Sequence, residues 1–381
     1  MKRILIFVDW YLPGYKGGGQ IKAVEYIVKN LSDRFDFYII CRDHDSDGSR
    51  YEDIQTNEWL PADGVHVKYL SGTKVAYLNL IAKELSNTAW DAIYTNSFFS
   101  LYFSIFPLLY TRFIKRNNSR FITAPRGEFS PGALGLKKQK KQLFIGISGL
   151  IGLHRYIMWH VSTALEEDDV RRWFPRAKVV VASELLPPST LAESKPIFKA
   201  FGEIKLIFLS RISPIKGLDI GLRALRELRH GEVRLDIYGP VEDADYWKEC
   251  LRLIESMPAN VTVKYCGEVR HSDVKGTIVD YHFLLFPTLG ENFGYVIIEA
   301  FLAGRPVLIS NTTPWADVTQ CGVGHDFESG DIRKIGEIIS GLIELDDSAY
   351  RGYLINVNKY ATYYIETERE KVEANAMLFF S

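Results

Sequence analysis

The chain has 381 residues, 46 Lys and Arg against 47 Asp and Glu, and hydrophobic residues at 47%. That length exceeds the usual size of one hydrophobic core and predicts two domains with a cleft between them, while the composition excludes extensive disorder. A formal net charge of −1 gives no global electrostatic reason to hold nucleic acid, so no nucleic-acid partner is expected.

In chain order, MKRILIFVDW has a short apolar run that meets Asp9, unlike a signal peptide, and predicts a first strand. KGGGQ follows, with Gly17, Gly18 and Gly19 directly ahead of a predicted helix, IKAVEYIVKNL. Glycines there let backbone N–H groups and a helix N-terminus approach a phosphate; a flexible turn is the plain alternative. The dinucleotide fingerprint GxGxxG is absent, which argues against an NAD-dependent oxidoreductase. FDFYII, DAIYTN, FITAP and VVVAS read as further strands among amphipathic stretches, the alternation of βαβ units around a parallel sheet. The apolar segment from Phe98 to Tyr110 is shorter than the roughly 20 residues of a spanning helix, so no membrane span is expected. Cys41, Cys250, Cys266 and Cys321 lack metal or redox spacing and read as reduced, mostly structural cysteines of a cytoplasmic protein.

Lys137, Lys138, Lys140 and Lys141 open the segment LKKQKKQLFIGISGLIGLHRYIMWH. Such a segment suits contact with anionic lipid, and equally an ordinary solvated start to a core helix. From Ser183 to Gly202 the chain carries three prolines without periodicity and reads as an interdomain connection. The strand–helix pattern then restarts: KLIFLS, LDIGLRALRELR, VRLDIYG, YWKECLRLIESM, VTVKYCG, HFLLFPT, YVIIEAFLAG and PVLIS. This is a second doubly wound domain, and the final stretch from Tyr353 reads as helical.

Arg211 and Lys216 stand five apart between a strand and a helix, where both can reach a crevice and neutralise a diphosphate; solvated surface cations are the plain alternative. In TLGENFGYVIIEAFLAG, Glu291 precedes a helix and Glu299 lies inside it. Helical N–H groups near Asn292, Phe293 and Gly294 favour anions, and a carboxylate inside an apolar helix is costly unless partnered, for which ligand hydroxyls would serve. A satisfied structural carboxylate and a turn residue are the alternative.

Together these features resemble the retaining GT-B glycosyltransferases of family 4. The resemblance rests on YKGGGQ, TAPRGEFSPGAL and HVSTALEEDDV in the first half, and more specifically on SRISPIKG, the YG and CG strand ends, and the E-x7-E segment followed by AGRPVLIS. It implies an α/β GT-B fold, two doubly wound Rossmann-like domains facing across a cleft. Residues 1–190 would bind the acceptor, 191–361 the nucleotide-sugar donor, and a C-terminal helix over about 362–381 would cross back to the first domain. Arg211 and Lys216 would grip the diphosphate, Glu299 the ribose, and Glu291 the donor sugar, with Asn292, Phe293, Gly294 and the Gly239 strand end beside the donor. Gly18 and Gly19 would close on the phosphate.

The resemblance also implies retention of anomeric configuration by same-face attack, no cofactor and no divalent metal. The acceptor would be a saccharide or lipid-linked oligosaccharide, as in bacterial O-antigen, capsule or exopolysaccharide synthesis at the inner face of the cytoplasmic membrane. One departure is informative. Family members carry a histidine in a PHGxxSP pattern where PRGEFSP stands here, so Arg126 replaces it. Arginine cannot act as a base at neutral pH, so a phosphate or sugar-hydroxyl contact is expected of Arg126, with Glu128 a weaker candidate nearby. A non-catalytic nucleotide-sugar binding protein remains the rival reading, although such a protein would be expected to lose the charged residues kept here.

Overall fold

The computed structural model describes residues 1–62, 64–115, 119–130, 133–134, 138–187, 197–270 and 273–380, the side chains of 138 and 140 excepted. The chain divides into two compact units, Met1–Ser189 with Glu368–Ser381, and Thr190–Thr367.

The first unit is built on an eight-stranded sheet. Its strands are β1 (Lys2–Phe7), β2 (Phe35–Arg42), β3 (Leu60–Ala62), β4 (Val65–Leu70), β5 (Ala92–Thr95), β6 (Arg120–Thr123), β7 (Ile157–Val161) and β8 (Lys178–Val181). Their spatial order is β3-β4-β2-β1-β5-β6-β7-β8, parallel throughout except for the β3–β4 edge pair. Fully buried runs such as Ile4–Phe7 and Ala92–Thr95 are what a parallel sheet covered on both faces demands. The helices are α1 (Gly19–Leu31), α2 (Lys74–Asn87), α3 (Phe106–Leu109), α4 (Lys138–Leu150) and α5 (Ala164–Trp173). Wide π-helical turns, Leu101–Ile105 and Tyr110–Lys115, flank α3 around Pro107.

The second unit has a six-stranded, all-parallel sheet in the order β11-β10-β9-β12-β13-β14. These strands are β9 (Glu203–Leu209), β10 (Glu232–Tyr238), β11 (Val261–Tyr265), β12 (Phe283–Phe286), β13 (Val307–Ser310) and β14 (Gly324–Phe327). Its helices are α6 (Leu218–Arg226), α7 (Ala244–Glu255), α8 (Val274–Ile278), α9 (Tyr295–Leu302), α10 (Ile332–Ile343) and α11 (Asp347–Glu366). Asp243 caps α7 by accepting from the Asp245 and Tyr246 N–H groups, and Asp346 caps α11 through Ala349 N–H. The core joins Leu206, Phe208, Leu222, Leu225, Leu235, Phe283 and Leu285 from strands and helices alike.

The last helix, α12 (Glu368–Phe380), packs within the first unit. Phe379 meets Phe35 edge-on at 5.3 Å, Glu373 accepts both terminal nitrogens of Arg34 at 2.8 and 2.6 Å, and Asn375 donates to the Ser183 carbonyl.

The doubly wound reading holds for both sheets. The segment LKKQKKQLFIGISGLIGLHRYIMWH is not one element. It divides into α4, a 3-10 turn (Leu153–Tyr156) and β7, a buried strand between β6 and β8. The helix ends because Gly152 takes a left-handed conformation (φ 69°).

Candidate functional site

In a doubly wound sheet, ligands collect where the strand order reverses, because loops leaving two neighbouring strands there turn to opposite faces and open a crevice. In the second unit that reversal falls between β9 and β12. The loop after β9 carries Arg211 and Lys216, and the loop after β12 carries Glu291.

Both loops are held closely. After β9 the chain makes a 3-10 turn, Pro214–Lys216, and then Gly217 (φ 67°) turns into α6. A Cβ at Gly217 would lie 2.0 Å from the Pro287 carbonyl oxygen, so only glycine lets the two loops come so close. The Leu289 N–H and the Thr288 hydroxyl both donate to the Ile215 carbonyl, at 2.8 and 2.9 Å. This stitching brings Lys216 Nζ to 2.6 Å from Glu291 Oε2, with the side chains only 12% and 17% exposed. The ammonium also lies 5.5 Å from the centre of the Phe286 ring. Glu291 is fixed from two sides, its N–H donating to the Thr312 carbonyl and its Oε1 accepting from Asn292 N–H.

Arg211 is placed differently. Its Nη1 donates to Glu242 Oε1 at 2.5 Å on a more exposed edge, so the two cations expected to act as a pair are held by different carboxylates. Gly239, at the end of β10, has φ 133°, and a Cβ there would lie 1.9 Å from the Ser210 carbonyl oxygen. It therefore sets how closely the β9 and β10 strand ends approach.

Glu299 is the one residue of α9 that is not buried as a whole, yet its Oε2 is itself buried. Gly294 (φ 79°) starts that helix. Phe293 is buried, and its carbonyl accepts the Trp315 indole N–H at 2.6 Å, with the rings 5.4 Å apart. Trp315 thus anchors the turn bearing Glu291, Asn292 and Gly294. Sequence reading missed Trp315 and Glu242. A signal was present for each: an acid three residues after the YG strand end, and a tryptophan just past PVLIS.

In the first unit the sheet reverses between β1 and β5. Gly18 (φ 67°) precedes α1 and Gly19 is its first residue, directly beyond the β1 loop. Asp45 Oδ2 accepts the N–H groups of Tyr15 and Lys16 at 2.8 and 3.0 Å, and Lys16 pairs with Asp47 at 2.7 Å. Asn96, just past β5, donates to the Gln20 carbonyl at 3.0 Å and accepts from Arg126 Nε at 2.7 Å.

Arg126 itself faces inward. Its side chain is 5% exposed; Nη1 pairs with buried Glu184, and Nη2 donates to the Tyr94 hydroxyl at 2.7 Å. His160 continues the chain, meeting Tyr94 through Nδ1 and the Ala182 carbonyl through Nε2. Burial, and then the Arg126 charge, hold its pKa down at about 3, so His160 is neutral. The phosphate or sugar contact expected of Arg126 gives way to this internal network, because a buried carboxylate, Glu184, needs its charge. Arg126 also adopts φ 51°, a conformation that a non-glycine residue keeps only when its surroundings impose it. Glu128 is likewise turned inward, accepting from the Ser97 hydroxyl and Phe98 N–H, each at 2.7 Å. Burial raises its carboxyl to about 7. Of the four lysines, Lys137 and the side chains of Lys138 and Lys140 lie outside the described residues. Lys141 donates to the Ala133 carbonyl at 2.7 Å.

The family whose model matches this chain is "Glycosyl transferases group 1", over residues 203–344. That segment is similar to glycosyl transferases group 1. It spans β9 to α10 and contains Arg211, Lys216, Gly239, Glu291 and Glu299. The curated relatives include the phosphatidylinositol N-acetylglucosaminyltransferase gpi3 subunit of Schizosaccharomyces pombe, 27% identical over 152 residues, 39% of this chain and 32% of the relative. Phosphatidyl-myo-inositol mannosyltransferase of Mycobacterium leprae is 27% identical over 146 residues, 37% of each chain. The chain thus spans about a third of the length of these relatives. Among solved structures, sucrose-phosphate synthase from Thermosynechococcus elongatus matches with a TM-score of 0.72 and 13% identity, over 99% of this chain and 98% of that one. Anabaena HepE, in complex with UDP and glucose, matches with a TM-score of 0.71 and 18% identity, over 99% of this chain and 100% of that one. The fold is GT-B, two doubly wound domains in one chain.

Proposed function

We propose that this chain is a glycosyltransferase that moves a sugar from a nucleotide-sugar donor to a saccharide or lipid-linked acceptor, with retention of configuration. The observation that carries the reading is the Lys216–Glu291 pair at the reversal point of the second sheet, inside the matched family segment. An ammonium carries three N–H donors, and one of them goes to Glu291. In this reading Lys216 and Arg211 meet the donor's diphosphate and stabilise the charge that grows as it leaves, the role otherwise given to a divalent ion. Glu291, fixed by Lys216 and by Thr312, accepts from donor-sugar hydroxyls, and Glu299 takes the ribose. Gly18 and Gly19 bring backbone N–H groups at the α1 N-terminus to the phosphates.

A uridine nucleotide is favoured because HepE, of the same fold, was captured with UDP and glucose. A lipid-linked acceptor is favoured because the two curated relatives are named for transfer to phosphatidylinositols. With these goes a place in bacterial cell-surface polysaccharide synthesis, in the cytoplasm, with a weak contact at the membrane face through the lysines before α4. The test is a thermal-shift series with UDP, GDP, ADP, their sugar conjugates and NAD, run beside Arg211→Ala. A rise with one nucleoside diphosphate, reduced in the variant, supports the reading. A rise with NAD alone, or with no nucleotide, overturns it.

A further inference from the structure

Each cation proposed to meet the diphosphate already holds a carboxylate. Lys216 pairs with Glu291, and Arg211 with Glu242. Two positive and two negative side chains sum to no net charge, so this quartet offers an incoming anion little attraction until a carboxylate gives way. The two carboxylates are not equally free to do so.

Glu291 is the fixed one. Its side chain is 17% exposed, its Oε1 accepts from Asn292 N–H, and its own N–H donates to the Thr312 carbonyl. Glu242 is 45% exposed and Arg211 37%, and they are joined by a bond from Nη1 to Oε1. Glu242 can therefore turn into solvent without stranding a charge away from water.

The meeting of Arg211 and Glu242 is set by the backbone rather than by two long side chains alone. Beyond the ends of β9 and β10 the loops go on pairing. Ser210 N–H donates to the Tyr238 carbonyl at 3.0 Å, Ile212 N–H to the Pro240 carbonyl at 2.8 Å, and Glu242 N–H back to the Ile212 carbonyl at 3.1 Å. Ile212 and Val241 form a parallel bridge, and Ile212 is fully buried. Asp243, next in the chain, is held in place by capping α7. This register keeps Glu242 beside Arg211 while leaving its side chain room to move.

We infer that Glu242 is a counter-carboxylate that competes with the donor's diphosphate for Arg211. It holds the guanidinium before the donor binds, yields it to the diphosphate, and takes it back as the nucleoside diphosphate leaves. The inference rests on the proposed function, because it takes Arg211 to be a diphosphate ligand. A guanidinium has five N–H donors, so Glu242 does not block the approach by geometry; it opposes it by charge. Removing a charged residue from this site should then tighten binding, the reverse of the usual effect.

The test titrates UDP, GDP and ADP, each beside its nucleoside, into the full chain and into Glu242→Gln, Arg211→Ala and the double variant by isothermal calorimetry. Glutamine keeps the length of the side chain at an exposed position, where substitution leaves the fold intact. Glu242→Gln should bind the diphosphate that the parent binds about three- to tenfold more tightly, the scale of one exposed ion pair and one like charge near the anion. In the Arg211→Ala background the same substitution should change affinity by less than about twofold, because nothing is left to compete for, and a merely structural role would not depend on Arg211 in this way. Binding of the nucleosides should be the same in the parent and in Glu242→Gln. A parent that binds a diphosphate with no gain, or a loss, in Glu242→Gln overturns the inference and leaves the donor reading standing. An equal gain without Arg211, or an equal gain for the nucleosides, also overturns it, since Glu242 would then act on the anion directly or on the shape of the site. A parent that binds none of the three diphosphates overturns the donor reading, and the inference falls with it.

Discussion

The two units hold opposite solutions to the same problem of placing charge at a strand end. In the second unit Lys216 and Glu291 come from two loops, pair at 2.6 Å and keep part of their surface in solvent. In the first, Arg126 and Glu184 pair with about 5% of their surface exposed, and Tyr94, Asn96 and His160 enclose them. A pair that keeps some contact with solvent can exchange one partner for a ligand at a smaller cost. A buried pair cannot, because whichever charge is left behind has lost its water. On the proposed function, the chemistry belongs to the second unit's loops and a positioning role to Arg126, which reaches the glycine turn through Asn96 and the Gln20 carbonyl.

The largest effect should come from breaking the open pair. Glu291→Ala should lower transfer by about a hundredfold or more, the scale of losing one pre-organised polar group at a reacting centre. Stability should change by about 1–2 kcal/mol, since the loop retains its Thr288 and Leu289 bonds to Ile215. Turnover within a few-fold of the parent, measured once a donor is known, would remove Glu291 from the site.

The buried pair should respond in stability instead. Arg126→Met alone should cost about 3–5 kcal/mol by stranding the Glu184 carboxylate, as in other buried pairs cut on one side. Adding Glu184→Gln should recover a large part, because the orphaned charge is gone. Chemical denaturation of the two singles and the double gives the coupling directly. A double variant no more stable than Arg126→Met would mean that the network is held by something other than charge pairing.

This contrast also explains what the sequence disclosed. Lys216 and Glu291 stand within short strand–turn–helix segments, so periodicity alone put them at strand ends, and the sheet order did the rest. Arg126 stands in an equally readable loop, yet its partners come from positions 94, 96 and 184. No local pattern says that these distant residues converge, so its direction, inward rather than outward, could not be read. Trp315 escaped for the same reason, its hydrogen bond to Phe293 crossing 22 positions. β7 was hidden because IMWHV is short and only Gly152 and the brief polar step His154–Arg155 part it from an apolar helix.

The smallest and most specific effect concerns Glu128. Burial outweighs the bonds from Ser97, Phe98 and Phe99 and lifts its carboxyl from the ordinary range near 4.5 to about 7 in the folded protein. Between those two values the folded state holds a proton that the unfolded chain has released. Stability from this group is therefore fully present below about pH 4.5 and falls as pH rises through 7. Glu128→Gln keeps an oxygen for the Ser97 hydroxyl and the Phe98 N–H but cannot ionise. Its denaturation midpoint should lose that part of the decline between pH 5 and 8 which the parent shows, and the two proteins should diverge in the variant's favour at the alkaline end. The same experiment on Arg126→Met should leave the Glu128 slope in place, because no bond joins the two residues. A variant profile parallel to the parent's across this range would mean that Glu128 stays ionised and that the bonds to Ser97 and the backbone, not burial, decide its charge.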